Sequence, residues 1–306
     1  TVIGCPNQEG GGLIPLFRLR AFKGLDIVLA ATPGPRTEWH PVYMGCQNYQ
    51  ALYFGSNGDP DKQKPPCNAM DASMIAYSKV LAMQEHFGRA WKAAASIVQP
   101  GSIWVERQMC QTIVKLTAPD SAGLKFLGIR VLPCLQTAAA VTGCEVMITQ
   151  GEYTMHNLIS NVQLGYLLQL NAYQCGVLAT PRKSPRAIPP VDVAEVSRVF
   201  PTIRPMFYIG TDAMPGTAEF RDASKAPGAH NYALNMAKAL AMTAVDVLHT
   251  PGTLAKVKDE LKVTLEEESR FMFQPFPTNE PPKNMIYSLV TTDTPSDIGP
   301  VGWNRR

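Results

Sequence analysis

The sequence predicts an α/β protein in which a ferredoxin-like domain interrupts a larger α/β domain. Over residues 1–43, apolar strands alternate with a helical segment, which is typical of a parallel sheet. Residues 47–149 follow a different order, β-α-β-β-α-β, which is the ferredoxin-like arrangement. Helical patterns then resume from residue 157 onward. Two different orders of strands and helices along one chain therefore indicate that one domain is inserted into another.

The first segment contains the pattern strand, turn, helix and strand. Apolar residues predict strands at Thr1–Gly4 and Ile27–Ala31, and an amphipathic segment lies between them at Ile14–Phe22. The glycines of 10–12 predict the turn before that segment. Because the chain opens directly on an apolar run, we expect a part of this domain upstream of Thr1 to be missing.

Six elements make up the predicted inserted domain, which we place at residues 45–150. In chain order they are strand Tyr49–Phe54, helix Ala69–Phe87, strand Trp91–Val98, strand Trp104–Leu116, helix Ser121–Thr142 and strand Glu145–Thr149. Residues 1–44 and 151–271 then form the surrounding α/β domain.

The C-terminal part predicts a helix at 157–178, a strand at Met206–Gly210 and two further helices at Asn231–Leu248 and 253–270. The helix Asn231–Leu248 has Ala and Met on nearly every face, so we expect it to be well buried. Residues 272–306 are Pro-rich and predict an irregular tail.

Composition argues for a small-molecule or protein partner. The chain has 306 residues with a formal net charge of +3, and no dense Lys/Arg run suggests binding to nucleic acid. No stretch is apolar for the roughly 18 residues of a membrane span. The 7 Cys are odd in number and form no C-x-x-C pair, which indicates neither a disulfide framework nor a zinc knuckle. We expect a soluble, cytoplasmic protein.

Several segments, in colinear order over about residues 1–270, resemble metallopeptidase family 20 in its amidohydrolase and dipeptidase branch. The segments that carry the resemblance are Gly4-Cys-Pro-Asn-Gln-Glu-Gly-Gly-Gly12, Pro33-Gly-Pro-Arg36, Asn68-Ala-Met-Asp-Ala72, Thr142-Gly-Cys-Glu-Val146, Phe207-Tyr-Ile-Gly-Thr-Asp-Ala213 and Ala237-Lys-Ala-Leu-Ala-Met-Thr-Ala-Val-Asp-Val-Leu248. The resemblance implies a zinc-binding α/β catalytic domain interrupted by a ferredoxin-like lid that usually forms dimers. It also implies that the family's N-terminal part, with its first metal ligands, is lacking here.

The resemblance places two adjacent glutamates after the first strand: a general base, then a zinc ligand. Here the pair is Gln8 and Glu9. An amide does not titrate near neutral pH, so Gln8 cannot carry a proton from water to a leaving amine. The family's other two ligand histidines in this part of the chain correspond to Thr32 and Gly216. A catalytic zinc needs about three protein ligands, so we expect neither bound metal nor any other cofactor.

Some polar residues remain for chemistry without metal. We assign catalytic roles to Glu9, Gln8, His156 and Asp192, and substrate contacts to Asn157, Thr32, Gly216 and Glu219. Two alternatives stay open, since Asp192 would also suit a helix N-cap and Glu9 a satisfied carboxylate at a strand end.

We therefore expect a zinc-independent homologue that binds and transforms a small amide- or carboxylate-bearing metabolite by acid–base catalysis. Cyclisation, isomerisation and condensation all fit a site that has lost its hydrolytic water. One alternative is a non-catalytic subunit that forms a homodimer through the lid. Another is residual hydrolysis of an amide or peptide bond, because a fold alone does not fix a function.

Overall fold

A computed structural model describes residues 1–5, 11–58, 65–87, 91–98, 109–151, 154–180 and 188–273. The chain divides into two compact units, the first formed by Thr1–Gly45 with Met155–Ser269 and the second containing Cys46–Thr154. The α/β fold class predicted from the sequence is confirmed.

The first unit contains short parallel strand pairs surrounded by helices. Its strands are β1 (Val28–Leu29), β2 (Thr32–Gly34), β7 (Thr202–Ile203) and β8 (Met206–Tyr208), and its helices are α1 (Leu13–Arg18), α4 (Val162–Gln174), α5 (Val193–Ser197), α6 (Ala218–Ser224), α7 (Pro227–His249) and α8 (Thr253–Phe273). Strand β1 pairs with β7 and β2 pairs with β8, both in parallel. The parallel pairing expected from the sequence is therefore present.

Backbone hydrogen bonds join the two strand pairs into one ladder. The amides of Val28, Ala30 and Thr32 donate to the carbonyls of residues 201, 203 and 205. Thr1–Gly4 does not form a strand, so that prediction is wrong. The apolar residues suggested a strand, but the segment pairs with no other strand in the described part of the chain.

Helix α4 begins later than its apolar pattern predicts. Asn161 caps it, because its side-chain oxygen accepts a hydrogen bond from the Leu164 amide at 2.9 Å. The same side chain donates to the Val257 carbonyl at 3.0 Å, which ties this helix start to α8. Residues 157–161 therefore precede the helix.

Helix α7 is buried along one stripe rather than all round. Ala229, Met236, Ala239, Thr243 and Val247 face the core. The opposite side exposes apolar side chains, including Tyr232, Leu234, Val245 and Leu248. The prediction of general burial is wrong because Ala and Met at every turn do not show which side meets a partner.

The second unit has the order β3 (Gly45–Phe54), α2 (Ala69–Gln84), β4 (Lys92–Val98), β5 (Met109–Ala118), α3 (Ser121–Thr142) and β6 (Glu145–Gln150). Its four strands lie in the order β4-β5-β3-β6. This is the ferredoxin-like arrangement that the sequence predicts. The start of the predicted strand Trp104–Leu116 lies outside the described residues.

Both helices of the second unit pack on its sheet. Of the described helices, only α3 is long and apolar enough to span a membrane by length and composition. Its Phe126, Leu127, Val131 and Leu135 are buried in the core of this unit. The Tyr53 hydroxyl donates to the Leu135 carbonyl at 2.9 Å, which fixes the helix over β3. This burial is that of a core helix.

Candidate functional site

The charged residues at helix α5 organise the polar chemistry of the first unit. Asp192 precedes the helix, Glu195 lies within it and Arg198 follows it. Residues three apart in a helix are neighbours on its surface, so the three charges lie along one side. Each of them has partners from a different part of the chain.

Asp192 is a buried carboxylate, with 2% of its surface exposed. Its Oδ2 atom accepts hydrogen bonds from the Leu13 amide at 2.9 Å and the Cys5 thiol at 3.5 Å. The side chain makes no N-cap hydrogen bond to α5, although the residue stands at the N-cap position. Burial, together with the neighbouring Asp192 charge, raises the pKa of Cys5 to about 11. Cys5 is therefore a neutral thiol that donates to Asp192.

Arg204 is a buried cation that directly follows strand β7, with 6% of its surface exposed. Its guanidinium lies over the Tyr43 ring at 5.2 Å from the ring centroid, a favourable cation–π arrangement. One of its nitrogens, Nη2, donates to the Thr32 hydroxyl at 3.4 Å. The Thr32 hydroxyl, which the resemblance predicts at a metal-ligand position, thus contacts a positive charge.

Asp192 and Arg204 line the same cavity, which has a volume of about 360 Å³. Its walls are otherwise formed by the backbone and side chains of 27–31, by Leu13, Phe22, Leu25, Val193 and Ala244, and by the first residues Thr1, Ile3 and Cys5. Asp192 makes both of its hydrogen bonds through Oδ2, so Oδ1 has no hydrogen-bond partner among the described residues. The lining of this cavity therefore includes a carboxylate and a guanidinium among mostly apolar residues.

His156 and Glu195 form a second polar pair. The His156 Nδ1 atom lies 2.9 Å from Glu195 Oε1, and the His156 backbone amide donates to the same oxygen at 2.6 Å. Burial acts to raise the pKa of Glu195, but the hydrogen bonds from His156 and the charges of His156 and Arg198 outweigh it and lower that pKa. An ionised carboxylate only accepts, so Nδ1 carries the proton in this pair. Nε2 is then the nitrogen open to proton transfer.

Arg198 orients the neighbouring Asn157. Its Nη2 donates to the Asn157 side-chain oxygen at 3.2 Å. The guanidinium also binds both oxygens of Glu268, at 2.8 and 2.9 Å. A bidentate pair of this kind fixes the plane of the guanidinium. Asn157 is therefore held by a network anchored on α8.

The predicted site residues do not all come together. Gln8 and Glu9 lie outside the described residues. Thr32 meets Arg204, and Asn157 lies beside His156, but His156 does not line the cavity that contains Asp192. Gly216 and Glu219 are exposed near the start of α6 and do not line the cavity either.

Glu195 and Arg204 were missed by the sequence analysis. Glu195 follows Asp192 by three residues, so the helical period offered a signal for it. Arg204 stands between two apolar strand segments, Thr202–Ile203 and Met206–Tyr208, where a charge is unusual. Neither signal identifies the contact partner, because the partner of Glu195, His156, and the partner of Arg204, Thr32, lie far away in the sequence.

The described residues do not fit a two-zinc site. Within the parts of the chain that the structure describes, no three His, Cys, Asp or Glu side chains form a group able to hold a metal. Thr32 contacts the Arg204 cation, which disfavours a dication there. Gly216 has no side chain and takes a φ of 92°, a backbone conformation that favours glycine over histidine.

Two curated proteins are similar to this chain in sequence. The chain is 31% identical over 281 residues to the Xaa-Arg dipeptidase of Mus musculus, covering 87% of this chain and 63% of that protein. It is 30% identical over 276 residues to the Xaa-Arg dipeptidase of Homo sapiens, covering 88% and 63%. The chain thus spans just under two thirds of the length of these curated relatives. No family profile matches the sequence.

Solved structures share the fold of this chain. A dinuclear metal-binding peptidase of the M20 family from Bacillus subtilis superposes with a TM-score of 0.58 at 13% identity, covering 80% of this chain and 64% of that one. The aminobenzoyl-glutamate utilization protein of Klebsiella pneumoniae gives a TM-score of 0.57 at 12% identity, covering 81% and 61%. In fold, this chain is similar to a peptidase of the M20 family, and in sequence it is similar to the two Xaa-Arg dipeptidases.

Proposed function

We propose that the chain binds a small amide- or carboxylate-bearing metabolite and transforms it by acid–base catalysis without zinc. The observation that carries this proposal is the cavity that the buried Asp192 and Arg204 both line. A guanidinium presents a planar fork of donors that matches a carboxylate, so Arg204 is the group that would bind the ligand's acid. The relatives are dipeptidases, which supports an amide as the reacting bond.

His156, which does not line this cavity, is the proposed general acid–base toward a part of the ligand that extends beyond it, and Glu195 positions the imidazole. A carboxylate on Nδ1 holds the imidazole in one tautomer and stabilises the imidazolium that forms during proton transfer. His156 has 35% of its side chain exposed, which leaves a ligand access to the ring. Asn157, oriented by Arg198, would donate its amide to the ligand. Isomerisation needs only such proton transfers, whereas cyclisation or condensation also forms a bond to the acyl carbon and expels one water, whose leaving oxygen His156 would protonate.

The proposed test separates binding from chemistry. The dipeptide alanyl-arginine, chosen because the relatives are Xaa-Arg dipeptidases, is titrated calorimetrically into wild type and into Arg204→Met. Loss of the guanidinium–carboxylate pair should weaken binding at least tenfold, as roughly 1.5 kcal/mol corresponds to that factor. Equal affinity in both proteins would remove Arg204 from the site.

Turnover is followed in the same samples by mass spectrometry. His156→Gln should leave the dissociation constant unchanged and abolish product formation. A product of the same mass as the dipeptide, or lighter by one water, supports isomerisation or cyclisation. Free alanine and arginine would instead support residual hydrolysis, the alternative suggested by the relatives. If no product forms at any pH, the result would support a protein that binds the ligand without transforming it.

A second candidate function is that of a dimerising subunit, favoured by the two edge strands of the second unit. Strand β4 exposes Val98 and strand β6 exposes Met147, with 43% and 52% of their surfaces accessible. Exposed sheet edges with apolar side chains readily pair with another copy. Light scattering after gel filtration should give a dimer that Met147→Lys converts to monomer. A wild-type monomer would exclude this candidate.

A further inference from the structure

Two cysteines of the second unit lie at the same end of its sheet. Phe54, the last residue of β3, pairs with Glu145 of β6, which places Cys144, the residue before β6, level with the first residue after β3. Cys67 forms an antiparallel bridge with Ser56, the second residue after β3. Its amide and its carbonyl both hydrogen-bond to Ser56, at 2.8 and 2.9 Å. The backbone therefore brings two cysteines that are distant in sequence to the same short stretch of chain.

The two side chains meet at the core of this unit. Cys144 is 8% exposed and belongs to the buried hydrophobic cluster, and the half-buried Cys67 packs against the same cluster. A side-chain hydrogen bond joins their thiols. Burial is the main cause that raises the pKa of Cys144, so this thiol keeps its proton near neutral pH. The pair thus consists of a buried neutral thiol in contact with a more accessible one.

Other thiols of this unit contact groups of a different kind. The Cys110 thiol lies 3.7 Å from the Met70 sulfur, and the Cys134 thiol donates to the Arg130 carbonyl of its own helix at 3.5 Å. Neither of these contacts joins two atoms that can form a covalent bond by losing hydrogen. The thiol–thiol contact differs in this respect, since a disulfide needs only a further approach of its two sulfurs, to about 2.05 Å.

We infer that Cys67 and Cys144 form a site of reversible oxidation, at which hydrogen peroxide converts the two thiols into a disulfide. The Cys67 sulfur, as the more exposed of the two, attacks one peroxide oxygen. The O–O bond breaks, which leaves a sulfenic acid on Cys67 and releases one water. The Cys144 sulfur then displaces the hydroxyl from the Cys67 sulfur, and its proton leaves with that hydroxyl as a second water. Each sulfur loses one electron overall, and the peroxide gains both.

The new bond ties together the starts of two elements. Cys67 directly precedes Asn68, the residue that caps α2, and Cys144 directly precedes β6. A dithiol reverses the bond by thiol–disulfide exchange. This site lies in the second unit and does not depend on the reaction proposed for the Asp192 cavity.

The test counts free thiols before and after oxidation. The reduced protein is desalted, treated with a small excess of hydrogen peroxide, unfolded in guanidinium and alkylated with iodoacetamide. The oxidised protein should be lighter than the reduced one by about 2 Da before alkylation, and it should take up two fewer alkyl groups. Peptide mapping should find the Cys67 and Cys144 peptides joined. Dithiothreitol added before alkylation should restore both alkyl groups.

Two serine variants complete the test. Cys67→Ser should form no disulfide and leave Cys144 open to alkylation. The matched control is Cys134→Ser, which removes another half-buried thiol of the same unit and should oxidise as wild type does. The peptide map of wild type does not depend on the folding of either variant. Wild type that keeps all its thiols, a disulfide between other cysteines, or Cys67 oxidised to a sulfinic acid beside an unmodified Cys144 would overturn the inference.

Discussion

Replacement of Asp192 by alanine tests how the first unit is held together. The carboxylate is buried and accepts the Leu13 amide at 2.9 Å, at the first residue of α1. Its removal leaves that amide unsatisfied, and a buried hydrogen bond to a charged group is worth about 1.5–3 kcal/mol. We expect Asp192→Ala to lower the free energy of unfolding by about 2–3 kcal/mol. Asp192→Asn keeps an acceptor and should cost about half as much.

Thermal unfolding gives the first measurement. A loss of 1 kcal/mol lowers Tm by about 2–4 °C in a unit of this size, so the alanine variant should melt about 4–12 °C below wild type. Asp222→Ala is the control, because its carboxylate is 66% exposed and surface ion pairs contribute about 0–1 kcal/mol. Hydrogen exchange at the Leu13 amide should accelerate in Asp192→Ala alone. Equal melting of the alanine variant and the control would refute the assigned role.

Two further predictions concern a close contact and an ion pair. A Cβ at Gly165 would stand 2.0 Å from the His40 ring, so Gly165→Ala should lose about 1–3 kcal/mol in urea denaturation. A Cβ at Gly228, in helix α7, would have no neighbour within 4 Å, so Gly228→Ala should raise the free energy of unfolding by about 0.5–1 kcal/mol. Equal changes in the two variants would contradict the close packing of Gly165 against His40. Glu195→Gln should destabilise the protein by about 1.5–3 kcal/mol near neutral pH, because the lowered pKa shows that the folded state favours the ionised carboxylate paired with His156. That difference is complete above the ordinary glutamate pKa and disappears as the pH falls through the lowered folded-state value; a pH-independent difference would contradict it.

The sequence predicted the second unit well because its elements are long and regular. Helix α3 occupies Ser121–Thr142, the bounds predicted from the sequence, since Asp120 caps its start and Gly143 ends it with a φ of 73°. Cap residues at both ends are local signals. Alternating burial along β5 likewise reflects a period of two that the sequence itself carries.

The first unit was harder to predict, because its strands are two or three residues long. A pattern this short resembles any apolar stretch, and Thr1–Gly4 was wrongly predicted as a strand for that reason. The site residues were also hard to predict, because contacts between distant parts of the sequence bring them together. Arg204 reaches Thr32 across 172 positions, and no local spacing records that contact.

The metal content of the purified protein tests the central claim most directly. The resemblance places Gln8, Thr32 and Gly216 at positions of a base and two metal ligands, so we expect the remaining donors to be too few to retain zinc. Elemental analysis after dialysis against zinc-containing buffer should give far less than one zinc per chain. Addition of a chelator should leave Tm unchanged. One or two zinc ions per chain, with a lower Tm in chelator, would contradict the account.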